Sequence, residues 1–209
     1  MTDKPIIFSA AMVQALLDGR KTQTRRLLKP QPELSRVIPL DQAGWFGDEE
    51  GEVKFKTPIA TGDRLYVRET CRATELKDGN DGIEYMADNV WREIANTQEA
   101  ADRWGQVYHY GKTGPKGRIG QTVPAIHMPR WASRLTLTVT DVRVQRLQEI
   151  STDDAIAEGR SSGGEFLSGR RWFRDLWNSL HGPDAWDANP WVAAYTFTVQ
   201  RGNIDEVAK

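Results

Sequence analysis

In this chain of 209 residues, the run Gly19-Arg20-Lys21-Thr22-Gln23-Thr24-Arg25-Arg26 carries the sharpest chemistry. A lysine close to a threonine can serve as base and nucleophile, because a desolvated or cation-crowded lysine has a lowered pKa and can take the hydroxyl proton. Arg20, Arg25 and Arg26 supply that crowding. In an ideal strand Lys21 and Thr24 point to opposite faces. Both meet one ligand only if Lys21 lies in the turn before the strand. The alternative is an ordinary Lys-Thr pair on a solvated basic strip.

Trp131 is the second candidate. It stands in His127-Met128-Pro129-Arg130-Trp131, just ahead of a strand, with Arg130 and Arg134 on either side. A ring beside guanidinium groups can stack on a base; the alternative is a residue that caps the end of a barrel. Trp172, Trp177 and Trp191 read as core. Gly111-Lys112-Thr113 invites a phosphate-loop reading, but one residue too many separates Gly105 from Gly111 and no apolar strand leads in. His109, His127 and His181 are far apart and Cys71 is the lone cysteine, so no metal or other cofactor is expected.

Charge is distributed unevenly. The net charge is only −1, yet Arg20, Lys21, Arg25, Arg26 and Lys29 follow one another without an acid, while Asp48, Glu49, Glu50 and Glu52 crowd a separate segment. That pattern suits a local anionic ligand better than a long duplex. A single cysteine forms no internal disulfide, so nothing asks for an oxidising compartment. The charge-free stretch from Pro5 to Leu17 is too short to span a bilayer. Asp3, Gln14 and Asp18-Gly19 are wrong for a signal peptide. The expectation is a cytoplasmic protein with no membrane partner and no known protein partner.

The elements that position these residues follow from periodicity. Met12, Val13, Leu16 and Leu17 have helical spacing after Ser9, and Gly19 is a left-handed terminator, which predicts a helix over 10–18. A strand over 20–28 follows. Three prolines and the acidic run make 29–58 a surface excursion. Thr61-Gly62-Asp63 turns into a strand in which Leu65 and Val67 alternate with Tyr66 and Arg68. Continuing that alternation places Glu69 inward, where it needs a basic partner. The stretch 71–125 is the least regular and predicts loops with one helix over 91–103.

From Ser133, Leu135, Leu137 and Val139 face one way, and the phase shift after Asp141 suggests a bulge. Ser151 starts a short helix that ends at Glu158-Gly159. A longer helix carries Phe166, Phe173, Leu176, Trp177 and Leu180 on one face and stops at Gly182-Pro183. Trp191 to Val199 is the last strand. Strands and segregated helices argue for a single α+β domain over 1–209, with insertions or long loops at 29–58 and 71–125.

Gly19 to Arg26 in its helix-turn-strand setting, the Thr61-Gly62-Asp63 turn, and Ala157-Glu158-Gly159 after a helix resemble the ASCH family. Ile126 to Arg134 and Trp186 to Trp191 are similar to longer phage and prophage members. The resemblance covers most of 6–30, 58–72 and everything from 126 onward. It implies a PUA-like mixed β-barrel flanked by helices, with an irregular insertion and a cleft beside the first helix.

Small bacterial members are amidohydrolases that remove the acyl group from the exocyclic amine of acetylcytidine with a lysine, a threonine and a glutamate. Matched by motif, these fall on Lys21, Thr24 and Glu158. The resemblance therefore implies an amidohydrolase acting on an acylated cytidine. The alternative is a non-catalytic RNA, DNA or modified-base binding module, or a ribonuclease. In either case Arg25, Arg26, Arg68, Glu69, Arg130 and Trp131 would contact a modified nucleoside or single-stranded nucleic acid. This chain is longer than those small enzymes, and the insertion over 71–125 would narrow, cover or repurpose the cleft.

Overall fold

Apolar periodicity and turn residues set the element order in the computed structural model, which describes residues 2–76, 79–111, 119–160 and 168–207. The chain begins with β1 (Asp3–Ile7), α1 (Ala10–Leu17) and β2 (Gln23–Leu27). Next come β3 (Ile38–Pro39), β4 (Trp45–Gly47), β5 (Lys54–Lys56) and β6 (Arg64–Arg68). β7 (Cys71–Glu75), β8 (Asp81–Tyr85), β9 (Val90–Glu93), α2 (Gln98–Tyr108) and β10 (Thr122–Val123) follow. The last third holds β11 (Leu135–Arg146), α3 (Thr152–Ala157), α4 (Gly169–His181) and β12 (Trp191–Arg201). Among the described residues, no helix is long and apolar enough to cross a membrane.

The strands form a five-stranded sheet of order β1-β6-β11-β12-β2, a four-stranded sheet β10-β7-β8-β9 and a three-stranded sheet β3-β4-β5. The α+β class holds. Among the described residues no pairing joins β1 to β2, so the largest sheet is not closed into a barrel.

The chain divides into two compact units. Met1–Lys4, Ala15–Leu65 and Leu137–Gln200 make the first; Pro5–Gln14, Tyr66–Thr136 and Arg201–Lys209 make the second. The first unit buries Leu147, Ile150, Ala155, Phe173, Trp177 and Val192 together. Phe173 and Trp177 are one helical turn apart on α4, and the Ser168 side chain caps that helix by accepting from Arg171 N–H. Leu180, seven residues after Phe173 and so on the same stripe, is 54% exposed in the last turn of α4, which ends at His181. Phe166 lies outside the described residues. In β12 every residue from Trp191 to Tyr195 is buried, on both faces of the strand.

The second unit corrects the expectation for 71–125. Where loops were expected, β7, β8 and β9 pair antiparallel, with Cys71 opposite Tyr85 and Ala73 opposite Ile83. Their inward side chains join Trp104 and Val107 of α2, Val123, Met128 and Ala132 in one core. The strands escape the usual signature because small residues hold key positions. At Gly82 a Cβ would lie 2.3 Å from the ring of Trp91, so only glycine lets that ring cross the strand. Likewise 29–58 contains a small sheet in which Phe46 opposes Phe55 and their rings stack at 6.2 Å. The expected helix over 91–103 begins and ends later, with Thr97 as its cap.

Candidate functional site

In the first unit the route from α1 into β2 is a tight turn. Gly19 takes φ +73, after which the backbone N–H groups of Arg20 and Lys21 both donate to Ala15 O, at 2.9 and 3.0 Å. Lys21 is thus held ahead of the strand, as its meeting with a ligand shared with Thr24 required. It forms an isolated antiparallel bridge with Glu158. Glu158 follows α3, whose N-cap Ser151 accepts from Asp154 N–H. Gly159 has φ +104, and a Cβ there would stand 2.9 Å from Ala15 Cβ and 3.1 Å from Lys21 Cβ. Glycine is therefore required for its conformation and for the closeness of Lys21.

The Lys21 ammonium is fully buried. Its Nζ donates to Glu158 Oε2 at 2.8 Å, to Glu158 O at 2.9 Å and to Gln23 O at 2.8 Å. Burial pulls the Lys21 pKa below its ordinary value; Glu158 opposes that, while Arg26 and Arg25 reinforce it. Glu158 Oε1 accepts from Arg25 at 3.1 Å. The same guanidinium donates to Gln23 Oε1 at 2.5 Å and to Asp154 Oδ2 at 2.9 Å. Among the described residues, Arg25 Nε has no hydrogen-bond partner. Asp154 also accepts from Arg143 at 2.9 Å. Although burial pushes its carboxyl up, Arg143 and Arg25 hold it below the usual range.

Register divides β2 between two faces. Gln23 and Arg25, bonded to each other, lie opposite Thr196 and Ala194 of β12; Thr24 and Arg26 lie opposite Tyr195 and Ala193. Thr24 is buried, at 3% exposure, and Arg26 is exposed. On the Arg26 and Tyr195 side opens a cavity of about 320 Å³. Leu28, Pro30, Pro32, Val53, Phe55 and Pro58 give it an apolar wall, and Arg26, Lys29 and Lys56 line it as well. Burial pushes the Tyr195 phenol up to about 12.

Arg68, Glu69, Arg130 and Trp131 fall in the second unit. Glu69, buried as its strand phase predicts, takes Arg134 in a fork: Nε to Oε1 at 2.8 Å and Nη2 to Oε2 at 2.9 Å. Arg134 also donates to both oxygens of Asp88, at 2.8 and 2.9 Å, and its guanidinium lies 4.1 Å from the centre of the Tyr85 ring. Arg68 donates to the carbonyls of Met128, at 2.9 Å, and Ile126. Arg130 pairs with Asp205 at 2.5 Å and lies over Tyr66 at 5.4 Å. Trp131 is half-buried against the unit's core and lines a separate cavity of about 330 Å³ with Tyr85, Arg92 and Asn203.

Lys21 and Arg25 are thus both bonded to Glu158, Thr24 and Arg26 flank Arg25 on β2, and the remaining candidates belong to the other unit. Sequence reading missed Gln23 and Asp154. Gln23 carries no charge to mark it, and Asp154 is explained equally well as a first-turn acid of α3.

No protein-family model matches the chain, and no curated protein does. A solved structure, protein EF3133 from Enterococcus faecalis V583, described by the family model DUF984, is similar at 12% identity and a TM-score of 0.40. The likeness covers 100% of this chain and 86% of that one. A likeness that distant carries no argument about fold or function.

Proposed function

We propose that this is an ASCH-type protein, with the PUA-like fold that family implies, which removes an acyl group from the exocyclic amine of a modified cytidine. The observation that supports this reading is the Lys21–Glu158 contact, 2.8 Å between fully buried groups, beside Thr24 on the adjoining strand. A lysine whose burial lowers its pKa has a larger neutral fraction near neutrality. Neutral Lys21 takes the proton of the Thr24 hydroxyl as Oγ1 bonds to the acyl carbon. The tetrahedral intermediate collapses by breaking the carbon–nitrogen bond, and Lys21 returns the proton to the leaving cytidine amine. Water then hydrolyses the threonine ester by the same base. Glu158 orients the lysine, and a backbone N–H stabilises the oxyanion. Arg25, engaged by Glu158, Asp154 and Gln23, is a positioning residue in this scheme.

One observation favours a second reading, that of a binder without turnover. All three ammonium protons of Lys21 already have acceptors, the arrangement of a structural tie between β2 and the end of α3. Purified protein incubated with acylated cytidines, with products separated by chromatography, distinguishes the two. Release of free cytidine supports the hydrolase. Tight binding with no release across the panel leaves the binder.

A further inference from the structure

The cavity beside Arg26 and Tyr195 has a chemistry of its own. Three of its lining residues are cations, Arg26, Lys29 and Lys56, and among the described residues that line it none is acidic. This contrasts with the second unit's cavity, where Arg92 and Arg103 are balanced by Glu93, Asp205 and Glu206. The cations come from different strands or loops: Arg26 from β2, Lys29 from the segment after it, and Lys56 from the end of β5. All three side chains are exposed rather than folded into the core. A second sign of concentrated positive charge is His181, whose pKa is lowered by burial and then by Arg26 and Lys29. The facing wall is apolar and includes Phe55 and the rings of Pro30, Pro32 and Pro58. A volume of about 320 Å³ suits a ligand the size of one nucleotide.

We infer that this cavity captures the phosphate of a nucleotide between Arg26, Lys29 and Lys56 while its base rests on the apolar wall. The inference rests on the reading of this face as the substrate face, and sharpens it: the substrate carries a phosphate and is not a neutral nucleoside. A phosphate oxygen takes charge-assisted hydrogen bonds from guanidinium and ammonium groups, and a site with no carboxylate offers it no repulsion. Free mononucleotide and the phosphorylated end of a strand present the same group.

Calorimetry on the whole protein tests this with cytidine, cytidine 5′-monophosphate, and a short oligonucleotide with and without a 5′-phosphate. The phosphorylated member of at least one pair should bind about tenfold tighter or more, with a gap that narrows as salt is raised. The pair that shows the gap identifies the source. Lys29→Gln combined with Lys56→Gln should close it. Lys54→Gln, on the same strand as Lys56 but outside the cavity, should leave it open. These lysines are exposed, so the variants keep their fold, checked by circular dichroism.

Equal affinity within both pairs, no binding of any ligand, or a gap that survives the double substitution each overturns the inference. Failure here is separable from failure of the hydrolase reading. Amide hydrolysis without phosphate preference sinks only the phosphate site, and phosphate preference without hydrolysis sinks only the catalysis.

Discussion

Two buried ionic networks, one in each unit, are built from the same kinds of charge and differ in the one respect that matters for chemistry. In the second unit Arg134 holds Glu69 and Asp88 by four hydrogen bonds. Its neighbours raise its pKa beyond even its ordinary value, burial notwithstanding, so its charge is permanent. Burial raises the Glu69 carboxyl above its ordinary value, and Arg134 opposes that rise. With both oxygens on the guanidinium, the ionised form is the one the fold holds. In the first unit the central cation is a lysine, drawn toward neutrality by burial and by the adjacent Arg26 and Arg25. An arginine fork is a fastener; a buried lysine can release its proton. That difference is why Lys21 is read as reactive and Arg134 as structural.

The sharpest break of this comparison comes from Thr24→Val, which keeps side-chain shape and removes the oxygen. Turnover should fall by about three orders of magnitude or more with affinity little changed. Retained hydrolysis in that variant, followed by chromatography, refutes the mechanism and reduces the first network to the same scaffold as the second. The wild-type rate should also fall as pH drops through the lowered Lys21 pKa, since the base works only when neutral. A rate that rises on acidification contradicts the assignment.

Next in size is Glu69→Ala. Removing one partner leaves Arg134 buried with only Asp88, and breaking a buried pair in this way costs about 3 kcal/mol. Chemical denaturation measures it. Lys21→Met should cost less, about 1 to 2 kcal/mol, because Glu158 keeps Arg25 on Oε1, although its Oε2 and two carbonyl acceptors lose a donor. If Lys21→Met proves the more damaging, the first network is the greater structural fastener and the contrast is inverted.

The sequence made the second network half legible. Period-two alternation through Leu65 and Val67 put Glu69 inward and demanded a cation, but the identity of that cation depends on β11 lying where Arg134 can reach, which no local pattern states. Lys21 ahead of β2 was legible as a condition, and Gly159 supplied the place where Glu158 approaches. What stayed hidden was the four-stranded sheet over 71–123. The inward positions of β7 are Cys71 and Ala73, small residues that give strand patterns no β-branched signal, and Gly82 breaks the run in β8 to make room for the Trp91 ring on the other face. Leu180 shows the reverse error, an apolar residue counted into a helical face and left exposed.

The smallest expected effect concerns Asp88, the half of the Arg134 network closest to water. Its side chain is 24% exposed. Burial pushes its carboxyl up, but Arg134 and the backbone N–H of Val90 hold it below the usual carboxylate range. A carboxylate whose folded pKa is depressed adds stability above its unfolded pKa and loses it as pH falls toward the folded one. Asp88→Asn keeps Oδ1 for Val90 N–H, which donates to it at 3.2 Å, and for one Arg134 bond, while it removes the charge and puts an amide donor where Oδ2 accepted from Arg134. At pH 7 the variant should therefore be less stable by about 1 kcal/mol. Below the unfolded pKa of about 3.9 the carboxyl of the unfolded wild-type chain takes up a proton while the folded one still resists it, so the gap should shrink steadily as pH falls toward the folded pKa. Urea denaturation of both proteins at neutral pH and near pH 3 reads this directly. A gap of constant size would mean that Asp88 acts through shape and hydrogen bonding alone, and that Glu69 supplies the whole of the charge that Arg134 requires.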